Sequence, residues 1–121
     1  MELLKHKQVI IFFKLSLVVA LVAIEYLATT TLEIKAIENT WDKANHFIAF
    51  FVLYILLSGA FTQLKIITKS IGLVLFGFHI EVLQYFIPNR DFSLLDVFAD
   101  SIGILIGIAI YKLFTIVFLR K

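Results

Sequence analysis

Four apolar stretches, each close to twenty residues long and joined by polar segments, occupy most of this 121-residue chain. They fall at about residues 9–28, 44–61, 67–87 and 94–119. A hydrocarbon core about 30 Å thick is crossed by roughly 20 helical residues, each rising about 1.5 Å. The runs are long and lack a period of two, so they predict helices rather than barrel strands. Composition agrees, with 61% hydrophobic residues, 17% charged and a mean hydropathy of +1.00. A soluble domain of this size has too much surface to hide so much apolar side chain. Disordered chains are polar and poor in aromatics, so disorder is excluded as well. The expectation is an all-α integral membrane protein, a four-helix transmembrane bundle forming one domain over residues 1–121.

Several function classes drop out at once. Without cysteine there is no disulfide framework, no thiol nucleophile and no cysteine-based metal site. A net charge of +2 gives no reason to expect a nucleic-acid partner. Lys5, His6 and Lys7 before an apolar run have the outline of a secretory signal. That run is long for a signal, and no Ala-x-Ala site follows, so it is read as the first span. Pro88 closes the third span as a helix stop. The connections are short apart from the first, around residues 29–43.

Charge asymmetry sets an expected orientation. Lys5, Lys7, Lys14, Lys65, Lys69, Lys112, Arg120 and Lys121 share one side, which is the cytoplasmic one by the positive-inside rule. The other side holds Lys35, Lys43 and Arg90 together with every acid except Glu2, so the two sides carry +7 and −5. Both termini are then cytoplasmic, in a multi-pass membrane protein.

Ionisable groups inside apolar spans are costly, so they tend to face a protein interior or a wet cavity. Here they converge. Asp42, Lys43 and His46 open the second helix, with Asp42 and His46 one turn apart on the same face. Glu81 and Gln84 lie one turn apart in the outer half of the third, Arg90 follows in the turn, and Asp96 and Asp100 open the fourth. Gly103 and Gly107 continue the stripe of Asp96 and Asp100, a small-residue seam suited to close helix packing. Plainer roles exist for single members: Asp96 suits a helix cap, Lys43 and Arg90 suit interface anchors, and His46 suits a wet interfacial side chain. Glu25 either joins the cluster or snorkels to water, and His79 lies on a different face from Glu81.

The ordered set Asp42-Lys43-x-x-His46-Phe47, Glu81-x-x-Gln84, Arg90, Asp96, Gly103 and Gly107 resembles the VanZ-like family. These are small bacterial membrane proteins named after a teicoplanin-resistance protein. The resemblance runs from Asp42 to Gly107 and departs at Asp100, where the family usually carries asparagine. It implies a link to glycopeptide antibiotic resistance or a housekeeping role in the cell envelope. Carried over by position, the candidate site is Asp42, Lys43, His46, Glu81, Gln84, Arg90 and Asp96, the departure setting Asp100 apart. From the residues themselves, His46, Glu81 and Asp96 are the candidate catalytic groups, and Asp42, Lys43, Gln84, Arg90 and Asp100 the candidate ligand-binding ones.

Three functions fit these residues. A membrane enzyme on an envelope lipid or lipid-linked glycan would use His46 as general acid or base, oriented by Glu81 or Asp96, with Arg90 and Lys43 on an anionic head group. A non-catalytic module would use the same cluster to recognise a lipid, a glycopeptide or another membrane protein. A small proton-coupled transporter would depend on Glu25. No cofactor is named by the residues, and no metal ligand is assigned outright. Carboxylates around one histidine can hold a hard divalent cation through Asp96, Asp100 and Glu81, whereas a single histidine without cysteine disfavours zinc. The lipid bilayer is the one partner the composition requires; the oligomeric state is not encoded legibly. The orientation is testable directly: a reporter fused after Pro88 reads extracytoplasmic, and a cytoplasmic reading overturns the topology.

Overall fold

In a computed structural model, residues 2–30, 42–88 and 92–119 are described, and among them there are helices and turns but no strand. Helix α1 spans Glu2–Thr29, α2 Asp42–Ala60, α3 Ile66–Tyr85 and α4 Leu94–Phe114. The last runs on into a π-helical turn, Thr115–Leu119. All four are long and apolar enough to cross a membrane. The third ends at Tyr85, three residues before Pro88, and Phe86 closes it with helical backbone.

The bundle is apolar outside as well as inside. Phe12, Val19, Leu75, Leu95, Phe98, Leu105 and many other large apolar side chains are exposed. Of the described side chains of α1, only Leu17 and Ala28 are buried. Water penalises a surface of this kind, and lipid does not.

The core is small and lies along α2. Phe50, Leu53 and Tyr54 are almost wholly enclosed, against Leu17 of α1, Leu73 of α3 and Ile104 of α4. Helix α2 packs on all three others, most extensively on α4, whereas among the described residues the backbones of α1 and α4 do not come close. The α2–α4 seam is close because glycines line it. A Cβ on Gly103 would sit 2.4 Å from the carbonyl oxygen of Phe47, and one on Gly107 would sit 2.9 Å from Cβ of Tyr54. The pair thus packs within the bundle.

Charges separate along the bundle axis. Where α2 ends and α3 begins, Lys69 is buried, its Nζ 2.7 Å from Oγ of Ser58 and 4.7 Å from the ring centroid of Tyr54. Tyr111 of α4 offers a second ring at 5.2 Å, so the ammonium rests on a hydroxyl and two aromatic faces. Lys14 of α1 lies 5.1 Å from the ring of Phe61 nearby. The carboxylates and His46 gather at the other end.

Gly103 and Gly72 give a controlled comparison. Gly103→Ala presses a methyl onto backbone and costs about 1–3 kcal/mol, the usual range for overpacking. Gly72→Ala meets nothing within 4 Å and gains up to about 1 kcal/mol of helix propensity. Thermal unfolding in detergent should therefore show opposite shifts for the two variants.

Candidate functional site: a histidine between two aspartates

The site is assembled where α2 and α4 begin and α3 ends. Ser93 starts α4: its hydroxyl accepts from the backbone N–H of Asp96 at 3.3 Å, so serine, not Asp96, is the N-cap. The Ser93-Leu-Leu-Asp96 spacing ahead of an apolar run is the sequence signal for that cap. Released from capping, the Asp96 carboxylate reaches across to α2 and pairs with the ammonium of Lys43. Its other oxygen, Oδ2, lies 3.4 Å from Nε2 of His46.

One turn further along α4, Asp100 is fully buried and its Oδ1 is 2.6 Å from Nδ1 of His46. The imidazole therefore has one aspartate at each ring nitrogen. Room for Asp100 comes from α3, because a Cβ on Gly77 would fall 2.6 Å from Asp100 Oδ2. An uncovered charge here would be very unfavourable, and the contact with His46 helps to offset that cost for the enclosed Asp100.

Glu81 closes the third side. It is 0% exposed, and its Oε1 accepts a hydrogen bond of 3.0 Å from the backbone N–H of Ser93. This ties the end of α3 to the start of α4. Its second oxygen, Oε2, has no hydrogen-bond partner among the described residues. One ligand-type atom from each of His46, Glu81 and Asp96 lies within 4.8 Å of the other two.

Gln84 belongs to the same end of the bundle but does different work. Its amide donates to the carbonyl of Ala28 at 3.3 Å, pinning α1 to α3. With Asn45 and His46 it provides the polar part of a cleft of about 270 Å³, whose remaining lining is apolar: Ile24, Leu27, Ala28, Ile48, Ala49, Phe50 and Ile80. A second, larger cleft between α1, α2 and α4 is lined by Phe13, Ile55, Phe114 and other largely apolar side chains, with none of the clustered carboxylates among them.

The structure brings His46, Lys43, Glu81, Asp96 and Asp100 together, with Gln84 beside them. Asp42 begins α2, but its side chain lies outside the described residues, as does Arg90. Glu25 takes no part, since it pairs with His79 in a half-exposed contact between α1 and α3. The role of Ser93 as cap and as donor to Glu81 was readable as a cap only; the bond to Glu81 depends on the turn geometry. Ser101 bonds back to the Val97 carbonyl within its own helix.

Four membrane-length helices carrying a partly buried histidine among buried carboxylates at one end fit a multi-pass membrane protein. The VanZ/LLP1 family profile matches residues 3–115, nearly the whole chain, and the protein belongs to that family. No curated protein and no solved structure matches the chain.

The His46–Asp100 contact predicts strong coupling. In a double-mutant cycle of His46→Ala and Asp100→Ala, the interaction energy read from unfolding should reach about 1–3 kcal/mol. The same cycle on His79 and Glu25 should return less than about 1 kcal/mol, since both are half exposed. Equal couplings would show that burial of the first pair is not what makes it matter.

Proposed function

We propose that the protein binds a glycan-bearing envelope lipid or lipid-linked glycopeptide, with the lipid chain in the lateral cleft and the polar head at His46. The observation that carries this reading is the cleft itself. It has apolar walls on α1, α2 and α3, opens beside the polar residues Asn45, His46 and Gln84, and shares His46 with the buried carboxylates. An amphiphile is the ligand class that satisfies both halves, because each polar group left facing hydrocarbon would cost free energy.

The chemistry favours a head rich in hydroxyl and amide groups. Carboxylates accept from hydroxyls, while Gln84 and Asn45 both donate and accept. Lys43 is engaged by Asp96, so it offers an anionic head less than its charge suggests. The positive-inside rule supports placing this end at the outer face of the bacterial inner membrane, where such lipids and glycopeptides such as teicoplanin are met. His46 between two aspartates is also equipped for general acid–base work, which makes catalysis on the bound head the second reading.

The purified full chain should retain a lipid-linked disaccharide–peptide in native mass spectrometry. His46→Ala and Gln84→Leu should each weaken that binding about tenfold, or about 1.4 kcal/mol. Binding that is indifferent to both substitutions sinks the proposal. Turnover lost in His46→Ala with binding retained would move the reading from binder to enzyme.

A further inference from the structure

Among the described residues, Glu81, Asp96 and Asp100 converge on His46, and Lys43 pairs with Asp96. Carboxylates gathered around one imidazole are a donor set that suits a divalent cation.

The geometry shows where it would sit. With Asp100 as carboxylate, Nδ1 of His46 carries the hydrogen of the 2.6 Å contact, which turns the lone pair of Nε2 toward Asp96. Nε2 and Asp96 Oδ2 then face each other as two acceptors at 3.4 Å. Two adjacent ligands each about 2.1–2.2 Å from one octahedral ion are separated by about 3.0–3.1 Å, a few tenths of an ångström closer than this pair stands. A histidine whose far nitrogen is held by a carboxylate is also the usual arrangement behind a metal-bound imidazole. The second, independent observation is Glu81. Its side chain is 0% exposed, and its Oε2 has no hydrogen-bond partner among the described residues. That residue also brings an oxygen within 4.8 Å of the His46 and Asp96 ligand atoms.

We propose that His46, Glu81 and Asp96 form a divalent-cation site, with Asp100 orienting His46 from behind. The ligand set differs from the all-carboxylate set that the sequence suggests, because Asp100 is turned onto His46 instead of into the shared space. One imidazole and two carboxylates suit a cation of intermediate character such as Mn²⁺ better than Mg²⁺ or Ca²⁺, which prefer oxygen alone. This inference does not rest on the lipid reading. A bound cation would nonetheless reverse the sign of the site, letting an acidic cluster meet an anionic head group.

The test uses the full chain in detergent and Mn²⁺ alone, followed by the loss of its free-ion electron paramagnetic resonance signal. One Mn²⁺ should bind per chain, undisplaced by equimolar Mg²⁺. Glu81→Gln keeps an acceptor for Ser93 N–H and should weaken binding at least tenfold. Asp100→Asn should weaken it about ten- to a hundredfold, as changes behind a ligating histidine do. Lys43→Met removes the ammonium that competes for Asp96 and should tighten binding, a gain that a misfolded variant would not show. Thermal unfolding of the unaltered protein gives a separate readout, since Mn²⁺ bound to the folded state must raise the midpoint and EDTA must lower it. Failure to bind Mn²⁺, or binding unchanged in Glu81→Gln and Asp100→Asn, overturns the site. Lipid retention without Mn²⁺ binding would reject the cation and leave the lipid reading standing.

Discussion

Helices α2 and α4 meet where the backbone of Gly103 lies against the carbonyl of Phe47, and the polar end of the bundle depends on that approach. A side chain at position 103 would drive the helices apart. The contacts from His46 to Asp96 and Asp100, and from Lys43 to Asp96, all cross the same seam one or two turns away. None would survive a large separation, because hydrogen bonds weaken steeply beyond about 3.2 Å. In lipid there is no strong hydrophobic drive between helices, so close backbone packing and polar contacts must hold them. Here both occupy one interface, and Gly77 extends the logic to α3 by leaving room for Asp100.

The site follows from this packing rather than being added to it. Ser93 caps α4, which frees Asp96 for Lys43 and His46; its backbone N–H holds Glu81, which closes the cluster from α3. Asp100 is enclosed and sets the imidazole from behind. Gln84 then fixes α1 at the edge, creating a cleft that is apolar along its walls and polar beside His46. The result is a cluster of charges enclosed between α2, α3 and α4, with a largely apolar cleft beside His46.

Much of this was legible in the sequence for simple reasons. Apolar runs of membrane length have few other solutions, so four membrane-length helices, with no strand among the described residues, follow from the pattern. Charges are rare in such a chain, and their positions at facing helix ends pointed to His46, Glu81, Asp96 and Asp100 together. The glycine stripe gave the seam. The ordered motif also resembled the VanZ-like family, to which the chain belongs. What the sequence did not show was who pairs with whom. Asp96 and Asp100 sit one turn apart and look equivalent, yet one meets Lys43 and the other is buried behind His46. Glu25 and His79 are far apart in sequence, and only the packing of α1 on α3 joins them, removing both from the site. Lys69 counted in the sequence only as one of the cytoplasmic-side cations, and it is buried against Ser58 and two tyrosines. Rotation about helix axes settles such questions, and one chain's apolar pattern constrains rotation weakly when lipid and core are equally apolar.

His46 is a partly buried, oriented imidazole held by Asp100, rather than an interfacial side chain in water. Nitrogen-15 NMR of the histidines in lipid nanodiscs tests this most directly. The account predicts a hydrogen fixed on Nδ1 of His46, shifted downfield by the aspartate and slow to exchange with deuterated water. A His46 ring carrying its hydrogen on Nε2 with Nδ1 bare, or one exchanging as freely as the exposed His6, would contradict it.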